Sequence, residues 1–201
     1  CGGDFIWSAS AFWGIPWREA ALGCPIFADH STGSIHAKPP ASFTGADSVP
    51  GFDANSSWMR KAVEFLDRMA ERSGGRWPIG TTRMRGISDL LSALYGGSDF
   101  ILAMSDRPDE VKQVCRKLTD FWIEFGKLQL AHIPAFHGGV GSFYYNLWAP
   151  PGTIWHQEDA AALLSPKLYD DFIREHDDRI ARAFAGCIMH QHPTKFVPTD
   201  F

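Results

Sequence analysis

The chain has 201 residues, 45% hydrophobic and 21% charged, with a formal net charge of −4 and a pI near 6.0. That apolar share supplies the core of one ordinary domain. The acidic balance, with Lys and Arg scattered along the chain, excludes the basic face that non-specific nucleic-acid binding needs.

Taken in chain order, residues 1–57 are rich in Gly, Pro, Ser and aromatics. Asp4–Phe12 is predicted as a strand and Trp17–Gly23 as a helical turn that ends at a glycine. Residues 29–57 read as loop, punctuated by Pro39-Pro40 and Pro50-Gly51. Met59, Ala62, Val63, Leu66, Met69 and Ala70 recur at three-and-four spacing, which predicts a helix over Ser57–Arg72 capped by Ser56 or Ser57. Trp77–Gly80 reads as a buried strand, Thr81–Gly86 as a loop, and Ile87–Tyr95 as a helix stopped by Gly96-Gly97. The longest periodic stretch is Asp106–His132, with Asp106 as N-cap and Pro108 in the first turn. Residues 137–152 read as a long glycine-rich loop. Ile154–Glu158 is a strand, Ser165-Pro166 opens a helix with Leu168, Phe172, Ile173, Ile180 and Phe184 inward, and Cys187–Gln191 is the next strand.

Strands alternating with helices predict an α/β fold with a parallel sheet. No Gly-rich dinucleotide loop or P-loop is present, which leaves a TIM (β/α)8 barrel as the expected parallel solution. Neither end of the chain resembles a polar linker, so the barrel is expected to be incomplete and the chain a fragment. Cys1, Cys24, Cys115 and Cys187 are widely spaced and form no CxxC pair, which predicts buried thiols in a reducing, cytoplasmic setting. No apolar run approaches the ~20 residues of a membrane span, so no membrane partner is expected.

Barrel chemistry sits on loops after the strand ends, which selects four places: Thr81–Arg85, His137–Trp148, Glu158-Asp159 and His190–His192. Thr81-Thr82-Arg83-Met84-Arg85 places two arginines before a helix N-terminus, suited to a carboxylate or phosphate, or else to backbone hydrogen bonds. Trp155-His156-Gln157-Glu158-Asp159 is a dense polar strand end. Alternation sends His156 and Glu158 to one face and Trp155, Gln157 and Asp159 to the other. Glu158 and Asp159 are candidates for an acid and base pair, or for a structural network that buries charge. His190 and His192 share a strand face, so both imidazoles suit one Zn²⁺ if further ligands join; otherwise one packs in the core and one binds substrate. Tyr144, Tyr145, Asn146 and Trp148 are candidates for a pocket wall or a plug.

Several ordered segments resemble the uroporphyrinogen decarboxylase superfamily. They are Gly14–Trp17 with Glu19–Pro25, Pro78-Ile79-Gly80 with the Ile87–Gly96 helix, the helix start at Ser105–Val111, EDAAALLSP at Glu158–Pro166, and Met189-His190. The resemblance implies a TIM barrel whose last strands lie beyond Phe201. It also implies one of two activities on a small-molecule substrate. The first is a lyase that decarboxylates a tetrapyrrole-like carboxylate without a cofactor, using Glu158, Asp159 and His190 as catalytic residues. Arg83, Arg85, Tyr144, Tyr145, Trp155 and His156 would then bind substrate. The second is a zinc-dependent corrinoid-to-thiol methyltransferase, with His190 and His192 on the metal and a corrinoid protein as partner. A homodimer is also in keeping with the resemblance. His192 stands where the family places a cysteine, Pro193 where it places a glycine, and the decarboxylases' arginine-rich N-terminal signature has no counterpart. A third alternative is a non-catalytic truncated barrel with open sheet edges.

Overall fold

The computed structural model describes residues 7–191. In chain order these form β1 (Ala9–Ser10), α1 (Trp17–Ala21), β2 (Ile26–Asp29), β3 (Ser34–Ala37), α2 (Ser57–Ser73), β4 (Ile79–Gly80) and α3 (Ile87–Tyr95). Then come α4 (Asp99–Asp106), α5 (Pro108–His132), β5 (Val140–Ser142), β6 (Leu147–Ala149), β7 (Thr153–Gln157), α6 (Pro166–Phe172), α7 (Arg174–Arg182) and β8 (Gly186–His190).

The expected TIM barrel is not formed. Among the described residues the strands make four two-stranded sheets, β1–β4, β2–β3, β5–β6 and β7–β8, in a mixed α/β fold. A (β/α)8 barrel needs every strand parallel to both neighbours. Here β2–β3 and β5–β6 are antiparallel hairpins, and only β1–β4 and β7–β8 are parallel. The β1–β4 pairing stops after two residues. The chain beyond β4 reaches β7 through a single bridge, Arg85 with Gln157. Strand β3 and the whole β5–β6 hairpin fall in the stretches 29–57 and 137–152, which read as loop.

Helices hold this assembly together. Ser56 Oγ accepts from the Met59 N–H (3.4 Å) to start α2, and Gly74 ends it in a left-handed conformation (φ 52°). The α5 stripe of Val111, Val114, Leu118, Trp122 and Phe125 is fully buried, and each such side chain contributes roughly 1.5–3 kcal/mol. Gly126 lets α5 lie against β7, because a Cβ there would sit 2.7 Å from Ile154 Cδ1. The single helix expected after Ser165 is two, α6 and α7, broken at the buried Ile173 (φ −116°). The break brings Tyr169 and Asp177, eight residues apart, into hydrogen-bond contact.

Candidate functional site

Strand β7 divides the molecule's polar chemistry into two faces. Its register with β8 sets Gln157 beside His190, and the lone bridge sets Arg85 on the other side of Gln157. Side chains of bridged residues share a face, so Arg85, Gln157 and His190 stand abreast, with Trp155 and Asp159 on the same side. The Gln157 amide donates to the Asp159 carboxylate, and the Asp159 N–H donates to Asp89 Oδ2 (3.0 Å).

Aromatic rings wall this strand-end face. Trp13 stacks on Trp155 (centroids 5.1 Å) and on Tyr144 (5.3 Å). Tyr145 stands perpendicular to Trp155 (5.8 Å), and both tyrosines approach the His190 ring (5.5 and 5.9 Å). The β5–β6 turn supplies these tyrosines, and close approach of that hairpin depends on Gly80, where a Cβ would meet Gly141 O at 2.5 Å. The Arg83 guanidinium lies 5.9 Å from the Trp13 ring. From α1, the buried Glu19 carboxylate holds Arg85 (3.5 Å), and the buried Arg18 donates to Arg83 O (3.2 Å).

Burial, reinforced by the neighbouring Arg85, pushes the Arg83 guanidinium below its ordinary value; burial lowers Arg18 to about 10 and raises the Tyr145 phenol to about 12. Five buried polar atoms of this region have no hydrogen-bond partner among the described residues: Arg18 Nη1, Arg85 Nε, Tyr145 Oη, Trp155 Nε1 and Gln157 Oε1.

The opposite side of β7 faces the helices. Glu158 is buried there and closes the N-terminus of α3. The Ile87 N–H donates to Oε1 (2.6 Å), the Ser88 N–H to Oε2 (3.0 Å), and the Ser88 hydroxyl also to Oε2. These are donors that an α-helix leaves unpaired, and they carry the positive end of its dipole. His156 Nε2 lies 3.2 Å from Asp177 Oδ1 and 4.0 Å from Glu158 Oε1; Tyr169 donates to Asp177 Oδ2. Burial is the first cause that raises both carboxyls, and Asp177 reaches about 7. His176, also buried, bonds Thr119 (2.9 Å), and burial lowers it to about 4.

His156, Glu158 and Asp177 offer ligand atoms within 4.8 Å of one another, the residue types of a three-ligand zinc site. Their bonding does not suit a resident ion. Both Glu158 oxygens are held by α3 and both Asp177 oxygens by His156 and Tyr169, so coordination would strip those bonds inside a closed interior. Among the described residues this is the one group of three or more potential metal ligands, and it does not include His190. His192 lies outside the described residues.

Of the residues singled out in sequence, Arg83, Arg85, Tyr144, Tyr145, Trp155, Asp159 and His190 are gathered at the strand-end face. His156 and Glu158 are turned to the helices. Trp13, Arg18 and Glu19 join the face unannounced, since neither spacing nor alternation connects α1 and the segment before it with a strand so far along the chain. Asp177, Tyr169 and Ser88 were equally hidden, each sitting in a helix whose pattern gives no reason to separate it from solvent-facing polar residues.

No protein-family model and no curated protein sequence matches the chain. Solved structures do. A methyltransferase from Methanosarcina mazei superposes with a TM-score of 0.71 at 14% identity, over 92% of this chain and 51% of that one. The chain thus spans about half the length of the structure it resembles, and at this identity the likeness is one of fold. Among the described residues no helix is long and apolar enough to cross a membrane.

Proposed function

We propose that the strand-end face binds the substrates of a methyl-transfer reaction, with a thiol as acceptor. The observation that carries this reading is the group of unpartnered buried polar atoms on the face, in a fold shared with a methyltransferase. A buried donor or acceptor left unmade costs about 1–3 kcal/mol, and a ligand that pairs with it recovers that cost. The roles follow from side-chain chemistry. The Trp13–Tyr144–Trp155 stack offers an apolar wall that excludes water from the reacting carbon. Arg85, held by Glu19, and Arg83 fix an anionic part of the substrate. Asp159, oriented by Gln157, is the carboxylate placed to take the acceptor's proton. In the transfer the sulfur–carbon bond forms as the donor–methyl bond breaks, and the thiol proton leaves. The comparison speaks for methyl transfer over the expected tetrapyrrole decarboxylation, for which nothing in the face is specific.

The test is incubation of the protein with methylcobalamin and 2-mercaptoethanol, with and without Zn²⁺, and mass-spectrometric detection of the methyl thioether. Thioether above a protein-free control is expected, with a loss on the order of tenfold in Arg85→Ala, the worth of one charge-assisted hydrogen bond. Equal yields with and without protein under both conditions would overturn the reading.

A further inference from the structure

The buried side of β7 carries a second constellation, which the methyl-transfer reading does not use. Cys187 on β8 points to the same side as His156, and its Sγ lies 3.5 Å from His156 Nδ1. Across the ring, Nε2 faces Asp177 Oδ1 at 3.2 Å. The Tyr169 hydroxyl donates to the other Asp177 oxygen, so Oδ1 is the atom that faces Nε2. In the tautomer with the proton on Nε2, Asp177 Oδ1 accepts from it and the Nδ1 lone pair is directed at the thiol. Trp122 packs edge-on to the imidazole (5.5 Å) and holds its plane. A nucleophile, a base and a group that orients the base are thus joined in one chain of contacts.

We propose that Cys187, His156 and Asp177 form a thiol–imidazole–carboxylate relay that makes Cys187 a nucleophile toward soft, uncharged alkylating electrophiles. The thiol proton passes to His156 Nδ1. The sulfur electron pair forms a bond to the electrophilic carbon, and the leaving group departs with the electrons of the bond it breaks. The imidazolium left behind is held by Asp177.

The other cysteines among the described residues lack this environment. Cys24 and Cys115 are buried, and burial pushes Cys24 up to about 12 and Cys115 higher. Cys187 is part-exposed, so a small reagent has access. Burial at the relay selects the reagent, because it raises both neighbouring carboxyls toward their neutral forms. Asp177 from α7 and Glu158, which follows β7, are the acidic groups on this side, and His176 of α7 is turned away to Thr119. An anionic electrophile would lose its hydration against the apolar core that Cys187 borders, so an uncharged one is favoured.

The test measures alkylation of the folded chain at pH 7, peptide by peptide, with iodoacetamide and iodoacetate. An unstructured cysteine peptide, only a few per cent thiolate at this pH, is the reference. Cys187 is expected to react several-fold faster than the reference, with a larger preference for iodoacetamide over iodoacetate. His156→Ala should lose at least fivefold while Cys24 and Cys115 stay protected, and added imidazole should restore the rate. A wild-type rate at or below the reference overturns the relay. So does a His156→Ala protein with Cys24 and Cys115 protected and an unchanged rate. The wild-type comparison decides the matter even if the variant does not fold.

Discussion

Gly86 is a residue whose missing side chain has a definite use. A Cβ there would lie 1.7 Å from Glu158 Oε1, so the carboxylate reaches the first N–H groups of α3 only because position 86 is glycine. Gly86→Ala is expected to expel Glu158 and cost roughly 2–4 kcal/mol, as losses of buried hydrogen-bond networks do; urea unfolding would measure it, and a change under 0.5 kcal/mol would refute the arrangement. Asp177 makes a pH prediction. Its folded value, raised to about 7, exceeds the ~3.9 of an unfolded aspartate, so the native state binds more protons between those limits. Its contribution is full below about pH 4 and is lost as pH rises through about 7. Asp177→Asn cannot ionise. The stability gap between wild type and variant should therefore shift by roughly 2 kcal/mol in the variant's favour between pH 5 and pH 8. His176 titrates the opposite way in both proteins and drops out of the comparison. A gap that does not move with pH would show that burial does not raise the Asp177 carboxyl.

At the scale of elements, legibility followed period and length. The helices α2, α3 and α5 announce themselves because each buries one continuous stripe, and their observed bounds differ little from the spacing. Helix α4 did not, because eight residues between Gly97 and Pro108 carry too few turns to show a period. The β2–β3 and β5–β6 hairpins were hidden because their strands are only three or four residues long, too short to show an alternation. Strands β7 and β8 were placed within a residue at each end, and the alternation of β7 correctly separated His156 and Glu158 from Trp155, Gln157 and Asp159. What alternation could not say is which side is the interior of the helical layer. That depends on α3, α5, α6 and α7, which approach from distant parts of the chain. A smaller test belongs here: Ser56→Ala should cost α2 about 1 kcal/mol through the lost Met59 cap, read by thermal unfolding, and a neutral result would mean the cap is not formed.

For the whole molecule, the alternation of strands and helices led to an incomplete barrel, and among the described residues there are four two-stranded sheets instead. Local pattern fixes where a strand lies but carries little information about its partner, which long-range packing decides. The two faces of β7 nevertheless divide the labour clearly. One is a saturated network that fastens α3, α6 and α7. The other leaves buried polar atoms without partners among the described residues, beneath an aromatic wall. The central claim concerns this second face. Its most direct test is the rate of thioether formation from methylcobalamin and 2-mercaptoethanol in wild type, Arg85→Ala and Cys187→Ser, each checked for folding by circular dichroism. Loss on the order of tenfold in Arg85→Ala, with Cys187→Ser at the wild-type rate, is the predicted result. Turnover that is absent from wild type, or that survives unchanged in Arg85→Ala, would contradict it.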